Sequence, residues 1–458
     1  MKLCSQSARI IAAKVLQSSF LRWVVAWMKD TRAAQESFYA CIDLKSFYAS
    51  VECVEQGLDP FKAPLVVADP ERGRGAICLA VSPALKALGV RNRCRLFEIP
   101  KGIQYQIAVP RMKLYMEYSA AIYKSYLKLL SPEDIYVYSV DECFFALSPY
   151  LLLYKQSPLD LVRRLVQGVF TQFGICATAG IGTNLFLAKI AMDIVAKHNE
   201  EHLAFLDEAL FRKHMWHHRP LTDFWNIGKG IAKRLARKGM YDLYDVAHAK
   251  PEQLYREFGI NAEFLIDHAW GRESCTMADL KHYRAKSHSI SNSQILFEDY
   301  AFEDAAIVLV EMVEFLCLKL VETQMLCNSF SLSIRYSKDC QMPTGGSRHL
   351  PQATDSFEVL EEYFLQLFWE TTWRNAPIRQ ICVSANDLLW LGRVEQNLFT
   401  AYAVDEQRDR DRQQVLLDVK KKYGKNAILR GISYRDKATA RVRNTLIGGH
   451  KGGEQHDE

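Results

Sequence analysis

Ile42-Asp43-Leu44-Lys45-Ser46-Phe47-Tyr48-Ala49-Ser50-Val51-Glu52 opens the argument, because it ends a β-prone run, Tyr39 to Ile42, in a carboxylate. About a hundred residues on, Tyr138-Ser139-Val140-Asp141-Glu142 ends a second run, Ile135 to Val140, in two more. If the two runs pair as strands, Asp43, Asp141 and Glu142 converge on one edge of a sheet. Three carboxylates at one point repel each other and raise their own pKa values unless cations neutralise them. An all-oxygen donor set favours hard Mg²⁺, which keeps waters and takes further ligands from substrate phosphates. Two such ions roughly 4 Å apart clamp the attacking and leaving oxygens of a phosphoryl transfer.

A lone Asp-Glu pair after a strand is usually a solvated turn. The combination is more specific. Asp-x-x-x-Phe-Tyr-Ala-Ser-Val-Glu followed by Ser-Val-Asp-Glu resembles the Y-family, the translesion DNA polymerases, and within it the bacterial UmuC-type branch. The resemblance continues through Thr178-Ala179-Gly180-Ile181-Gly182-Thr183-Asn184 with Ala188-Lys189-Ile190-Ala191, through Leu221-Thr222-Asp223-Phe224-Trp225-Asn226-Ile227-Gly228, and to Gly424-Lys425-Asn426-Ala427. It covers residues 38 to about 450.

The resemblance implies an α+β right-hand polymerase. Residues 38–47 and 107–197 correspond to a palm, 48–106 to small fingers and 198–283 to a helical thumb. Residues 286–424 correspond to a little finger carrying a clamp-binding segment, and 425–458 to a basic tail. The residues support these elements locally. Ile135–Val140 and Cys143–Leu147 read as a hairpin around the acidic pair. Gly180 to Asn184 turns a strand into a helix over 185–197 that Thr183 or Asn184 can cap. Gly73 to Ser82 reads as a turn and a buried strand. Trp225-Asn226-Ile227-Gly228-Lys229-Gly230-Ile231 is a helix-hairpin-helix signature whose glycines let backbone N–H groups approach a phosphate. Phe258-Gly259-Ile260 reads as a second, degenerate hairpin. Residues 286 to about 388 give a β-α-β-β-α-β order, with Phe330, Leu332, Ile334 and Tyr336 alternating on one face. A further helix, Asp405 to Tyr423, stops at Gly424.

By resemblance, Asp43 and Asp141 bridge two Mg²⁺ ions, Glu142 completes the one that activates the primer 3′-hydroxyl, and the Leu44 carbonyl is a ligand of the other. The implied reaction is in-line attack on the α-phosphate of a deoxynucleoside triphosphate, driven by positioning and charge neutralisation. Lys189 matches a lysine that meets the triphosphate; its plain alternative is an i,i+4 partner for Asp193. Tyr48 matches a steric gate against a ribose 2′-hydroxyl, while Phe47 packs in the core. Many family members carry Tyr-x-x-Arg after a serine in the fingers. Here Pro83 and Lys86 hold those places, so the bidentate fork is lost, and Arg91 is a candidate to compensate. Ile227, Gly228, Lys229 and Gly230 are the implied DNA contacts of the thumb. Glu395-Gln396-Asn397-Leu398-Phe399 resembles the peptide that bacterial polymerases insert into the sliding clamp, with Gln396, Leu398 and Phe399 as anchors. A loop packed on its own domain is the competing reading.

Length 458 suggests about three domains. The net charge of +5 is mildly basic and discriminates little. Its distribution says more: Lys420 to Gly453 holds ten Lys or Arg against one acid, Asp436. That segment reads either as a phosphate-neutralising tail or as a solvated end. Twelve cysteines without a Cys-x-x-Cys pair indicate reduced thiols and a cytoplasmic protein. His214, His217 and His218 read as a surface cluster rather than a zinc site. Ile10 to Met28 is too interrupted by polar residues to span a membrane. Residues 1–37 have no counterpart in the family pattern, and an upstream start is favoured over an added helix or a targeting peptide. Expected partners are primer-template DNA, deoxynucleoside triphosphates and the clamp, with a UmuD-like accessory protein as a further one; the chain itself is expected to be a monomer. The rival functions are a non-catalytic DNA- or clamp-binding relative, which the intact acids oppose, and a nucleotide cyclase, which the thumb and little finger oppose.

Overall fold

The computed structural model describes residues 37–283, 289–337, 342–393 and 402–453. The N-terminal extension up to residue 36 and the clamp-like segment at 395–399 lie outside them. The chain divides into two compact units, one running to Tyr283 and one from Arg284 to Gly452.

The first unit begins β1 (Tyr39–Leu44), α1 (Phe47–Glu55), β2 (Leu65–Val67), β3 (Ala80–Val81), α2 (Pro83–Ala87), β4 (Gln106–Ala108) and α3 (Met112–Tyr126). It continues β5 (Ile135–Val137), β6 (Glu142–Ala146), α4 (Ser148–Tyr154), α5 (Pro158–Phe173), β7 (Ala177–Gly182), α6 (Leu185–Ile190) and β8 (Leu203–Leu206). Its main sheet has the order β5-β6-β1-β7-β8. The expected hairpin is present, with β5 and β6 antiparallel. The sheet also reaches past the expected palm boundary at 197, because the wholly buried run Leu203–Leu206 pairs parallel to β7.

Two glycines fix how the next helix lies on this sheet. A Cβ at Gly180 would sit 2.2 Å from the Ala188 oxygen, and one at Gly182 would sit 2.3 Å from the Ala188 nitrogen. Only a strand bare at both positions lets α6 press its backbone against β7. Asn184 caps that helix, its Oδ1 accepting from Leu187 N at 2.8 Å. The helical path then loosens into a π segment, Ala191–Val195, and a 3₁₀ turn, Ala196–His198. Such interruptions concentrate at functional sites.

A small sheet, β3-β2-β4, has its own apolar cluster around Val66, Cys78, Leu85 and Cys94. The buried strand expected over Gly73 to Ser82 shrinks to Ala80–Val81. Gly73, at φ +70, turns the chain away, and Ile77 meets Arg95 only as an isolated bridge. Pro83 stands at the first turn of α2, where no amide donor is needed, and Ser82 Oγ accepts from Leu85 N at 3.3 Å.

Helices α7 (Glu208–Met215), α8 (Lys229–Ala236), α9 (Leu243–Ala247), α10 (Pro251–Phe258), α11 (Ala262–Ala269) and α12 (Met277–His282) complete the unit. His217 and His218 turn to Asp242 and Asp223.

The second unit reads β9 (Ser289–Tyr300), α13 (Phe302–Thr323), β10 (Met325–Tyr336), β11 (Thr344–Thr354), α14 (Phe357–Thr371) and β12 (Ile378–Trp390). This is the expected β-α-β-β-α-β order, in a sheet arranged β11-β10-β12-β9. Phe330, Leu332, Ile334, Ile381 and Val383 face one way and pack with Leu309, Leu316, Leu360 and Phe364 of the two helices. Helix α15 (Tyr402–Tyr423) follows and stops at Gly424, whose φ is +94.

The segment after Gly424 is a folded part of this unit, not a solvated tail. It forms α16 (Ala440–Asn444) and a hairpin of β13 (Leu446–Ile447) and β14 (His450–Lys451). The cause lies on α13, where Glu311 is buried and needs donors. Its Oε2 accepts from Thr439 N and Ala440 N, both at 2.9 Å, and from Thr439 Oγ1 at 3.1 Å. Glu314 lies 3.6 Å from Lys420 and 3.7 Å from Arg430. Arg430 also lies over Phe357, 3.6 Å from its ring centre. Several cations of the basic stretch are therefore committed inward.

Candidate active site

Strand pairing brings the acids together. β1 runs antiparallel to β6 in a register that sets Asp43 opposite Glu142, and Leu44 N donates to Asp141 O at 2.8 Å. Each carboxylate has a neutralising or donating neighbour. Asp43 Oδ2 is 2.6 Å from Lys197 Nζ. Asp141 Oδ1 accepts from Ser139 Oγ at 2.6 Å. Glu142, buried, is 2.7 and 2.8 Å from Lys189 Nζ through its two oxygens, and Cys41 Sγ donates to it at 3.0 Å. Asp193 bridges the lysines, 3.0 Å from Lys189 and 2.7 Å from Lys197.

The electrostatics follow from crowding and burial. Burial pushes the Asp43 carboxyl up to about 6; Lys197 holds it from rising further, while Asp141 and Glu142 add to the rise. Burial works against the Lys197 ammonium, yet Asp43 and Asp193 raise it overall. Burial likewise opposes Lys189, which Cys41, Glu142 and Asp193 push up to about 12. The Cys41 thiol rises well above its usual range through burial and Glu142.

Among the described residues no three acidic, histidine or cysteine side chains close on one point at ligand distance. Each acid is drawn instead to a lysine or a hydroxyl. The donor set is nonetheless carboxylate oxygen on adjacent strands, and two ammonium groups supply the positive charge it requires. Divalent cations that prefer oxygen fit that set by replacing those charges.

Lys189 therefore fills the i,i+4 role with Asp193 and also holds Glu142. Lys197 was missed by sequence reading. It stands two i,i+4 steps along the same helical face, and that spacing was the available signal. At 36% exposure its side chain is much more open than that of Lys189, at 8%. Lys86 belongs to the same field: burial holds its ammonium below the usual value, Asp43 opposes that, and Lys197 adds to it. Arg91 does not join them. Its side chain is highly exposed and sits 4.0 Å from Glu98.

Tyr48 lies flat on Tyr115, ring centres 4.6 Å apart and planes 18° apart. Tyr115 in turn donates to buried Glu52 Oε1 at 2.6 Å, and Arg111 grips Glu52 with Nε at 3.0 Å and Nη2 at 2.7 Å. The glutamate ending the first motif is thus a support for the aromatic platform, not a fourth acid of the site. Burial raises the Tyr48 phenol, nearby Asp141 adds to this, and Arg93 opposes it. Arg93, one of the basic residues of the 48–106 segment, stands in the left-handed region at φ 57. Phe47 is buried in the core as expected.

In the helix-hairpin-helix stretch, Ile227 is buried, and Gly228 caps α8 with Lys229 and Gly230 exposed in its first turn. A Cβ at Gly228 or Gly230 would meet nothing within 4 Å. Neither glycine is demanded by packing inside the chain.

Three comparisons bear on this arrangement. The impB/mucB/samB family matches residues 42–193, and the C-terminal domain of that family matches residues 287–398. UvrX of Bacillus subtilis (strain 168), whose name refers it to UV-damage repair, is 32% identical over 421 residues, 90% of this chain and 97% of that protein. DNA polymerase IV 2 of the same organism is 29% identical over 426 residues, 91% and 99% of the two chains. DNA polymerase IV of Moorella thermoacetica is 28% identical over 406 residues, 85% and 94% of the two. Among solved structures, a Y-family DNA polymerase chimera of Dbh and Dpo4 superposes with a TM-score of 0.58 at 17% identity. It covers 77% of this chain and 99% of that one, so the fold is that of the right-hand polymerases. The chain belongs to the impB/mucB/samB family, the Y-family DNA polymerases. It is a DNA-directed DNA polymerase of translesion synthesis.

Proposed function

We propose that Asp43, Asp141, Glu142 and the Leu44 carbonyl hold two Mg²⁺ ions, and that the chain is an error-prone polymerase extending a primer 3′-hydroxyl past lesions. The observation that carries this is the register of Asp43 against Glu142, with Asp141 tied to Leu44. When bound, the ions would supply charge neutralisation at the attacking and leaving oxygens.

The chain's own residues do the rest. Lys197 gives up Asp43 and, with Lys86, meets the triphosphate. Lys189, buried and held by Asp193, orients Glu142 through both of its carboxylate oxygens. Tyr48, backed by Tyr115, closes the space a ribose 2′-hydroxyl would need, and Arg93 is placed to share phosphate contact. Gly228, Lys229 and Gly230 present backbone N–H groups and one cation to the DNA backbone. The sheet of the second unit offers its open face to the duplex.

The finer partners are part of the same reading. Leu398 and Phe399, with Gln396, would fill a pocket on a sliding clamp, and a UmuD-like protein would be an accessory. Monomeric action in the cytoplasm accords with free thiols at every described cysteine. No described helix is long and apolar enough to cross a membrane.

Primer extension with Mg²⁺ and all four deoxynucleotides tests the catalytic reading. Wild type should extend and Asp141→Ala should not, with DNA binding nearly unchanged. Extension by the variant would overturn the acid assignment. Replacing Leu398 and Phe399 by alanine should abolish clamp binding and spare synthesis on short primers; unchanged clamp affinity would place that contact elsewhere.

A further inference from the structure

The turn that carries the acids touches the helix-hairpin-helix stretch. Trp225, which opens that stretch, donates from Nε1 to the Tyr138 hydroxyl at 3.2 Å, across 87 positions of chain. The two rings meet edge to face with centres 6.0 Å apart. Phe144, two residues beyond Glu142, closes a triangle, its ring centre 5.7 Å from that of Tyr138 and 6.1 Å from that of Trp225. Edge-to-face aromatic pairs carry a directional preference beyond plain apolar packing.

Tyr138 reaches the acids by three routes. Its N–H and that of Ser139 donate to the Glu142 carbonyl at 2.9 and 3.1 Å, which closes the turn. Its ring centre lies 5.6 Å from the Lys189 ammonium, which holds both Glu142 oxygens. Ser139, next in the chain, donates to Asp141. Tyr138 is 46% exposed, so its ring is held by named contacts rather than by enclosure. An indole N–H aimed at a phenol in the open, where water could satisfy both, serves orientation more than burial.

Trp225 is fixed from its other side. Its ring lies parallel to that of buried His268, centres 6.4 Å and planes 15° apart. His268 in turn stacks on Phe186 of α6 at 4.0 Å and bonds Glu273 at 2.9 Å. Directly after Trp225 the chain turns through Asn226 at φ 66, buries Ile227 and reaches Gly228, the cap of α8. The exposed backbone at Gly228–Gly230 and the indole that touches the acidic turn therefore share one short, tightly turned segment.

We propose that Trp225 is a positioning residue. It braces Tyr138, so that seating a DNA backbone on the Gly228–Gly230 amides sets the turn bearing Asp141 and Glu142 for nucleotide addition. The proposal rests on reading those amides as DNA contacts and those carboxylates as the catalytic acids. The physical reason is the sensitivity of such a constellation: a misplacement of about 1 Å costs on the order of a hundredfold in rate.

The test uses the full-length protein on primer-template DNA. Single-turnover extension at saturating DNA and deoxynucleotide should fall about ten- to a hundredfold in Trp225→Ala, with DNA affinity within a few-fold of wild type. Trp225→Phe keeps a ring and should recover most of that loss. Tyr138→Ala should lose as much as Trp225→Ala, and the double variant no more than either, because the two residues act as one unit. Hydrogen exchange gives a readout independent of turnover. DNA should slow exchange in the hairpin over 135–146 in wild type and not in Trp225→Ala, although that variant still binds. A loss confined to DNA affinity, or equal slowing of exchange in the variant, overturns the brace. So does a lower urea midpoint with fewer active molecules that each extend at the wild-type rate, which is the mark of plain packing. Two controls test the underlying reading. If Asp141→Ala extends the primer, the acid assignment fails. Lys229→Pro removes one amide and one cation where a helix tolerates proline, and unchanged DNA affinity there means that the loop does not meet DNA. If both controls lose function and Trp225→Ala extends at the wild-type rate, the brace alone is overturned.

Discussion

The acidic edge of the first unit and the open sheet face of the second solve opposite problems. At the edge, charges are crowded and partly buried, and each is matched: Asp43 with Lys197, Glu142 with Lys189, and Asp193 between the lysines. On the face, the register aligns Ser347, Ser331, Ser384 and Ser291 in one row across the strands, where neutral hydroxyls and the Asn386 amide bond one another. Removing one partner from a buried ion pair leaves an uncompensated charge and is strongly destabilising. Removing one neutral hydroxyl from a wet surface costs little by itself. The edge is therefore intolerant and chemically decisive, and the face is tolerant and additive.

That contrast can be broken in several ways. The largest effect should come from Asp141→Ala, which removes an acid without unpairing a lysine. Primer extension should fall by about 10³-fold or more, on the scale of losing a group that stabilises developing charge. Single-turnover rates would show it, and near-normal rates would remove the edge from the chemistry. Tyr48→Ala should lose roughly ten- to a hundredfold of discrimination against ribonucleotides, the range that steric fit to one small group provides. Comparing incorporation of the two sugars measures this, and unchanged discrimination would reduce Tyr48 to packing.

Lys197→Ala should raise the KM for deoxynucleotides about tenfold, as the loss of one charge-assisted contact would. The same change at Lys189 should lower kcat more than it raises KM, because that lysine is buried against Glu142. Identical kinetic signatures for the two would erase the distinction drawn between them. The smallest effect should be purely structural. Gly182→Ala forces a Cβ into the α6 backbone and should cost about 1–3 kcal/mol of stability, read as a lower urea midpoint. A silent substitution there would mean that the helix can shift away from its strand at little cost.

How much of this was legible in the sequence depends on whether a feature is local. The β-α-β-β-α-β order and the hairpin around Asp141 and Glu142 follow from alternation and turn residues a few positions apart. The convergence of Asp43 with Glu142 followed from reading two runs as paired strands. Lys197 escaped because its partner, Asp43, is 154 positions away and a lysine at the end of a helix looks solvated. Glu52 drew no role from the sequence, because its partners Arg111 and Tyr115 lie 59 and 63 positions away. The extra strand Leu203–Leu206 is a four-residue apolar run, too short to separate from a helix start by periodicity. The serine row could not have been read at all, because cross-strand register is set by pairing and not by neighbours in the chain.

The bonds from Glu311 to Thr439 and Ala440 join residues 128 and 129 positions apart. During synthesis this carboxylate is made long before its donors exist. The second unit is thus left waiting on donors far downstream in the chain, and a chain cut short before Thr439 keeps an acid without those amides. Such products would open more often and reach proteases more readily. A product cut short before Thr439 is therefore expected to be cleared faster than a chain that carries it, and to compete less for a primer.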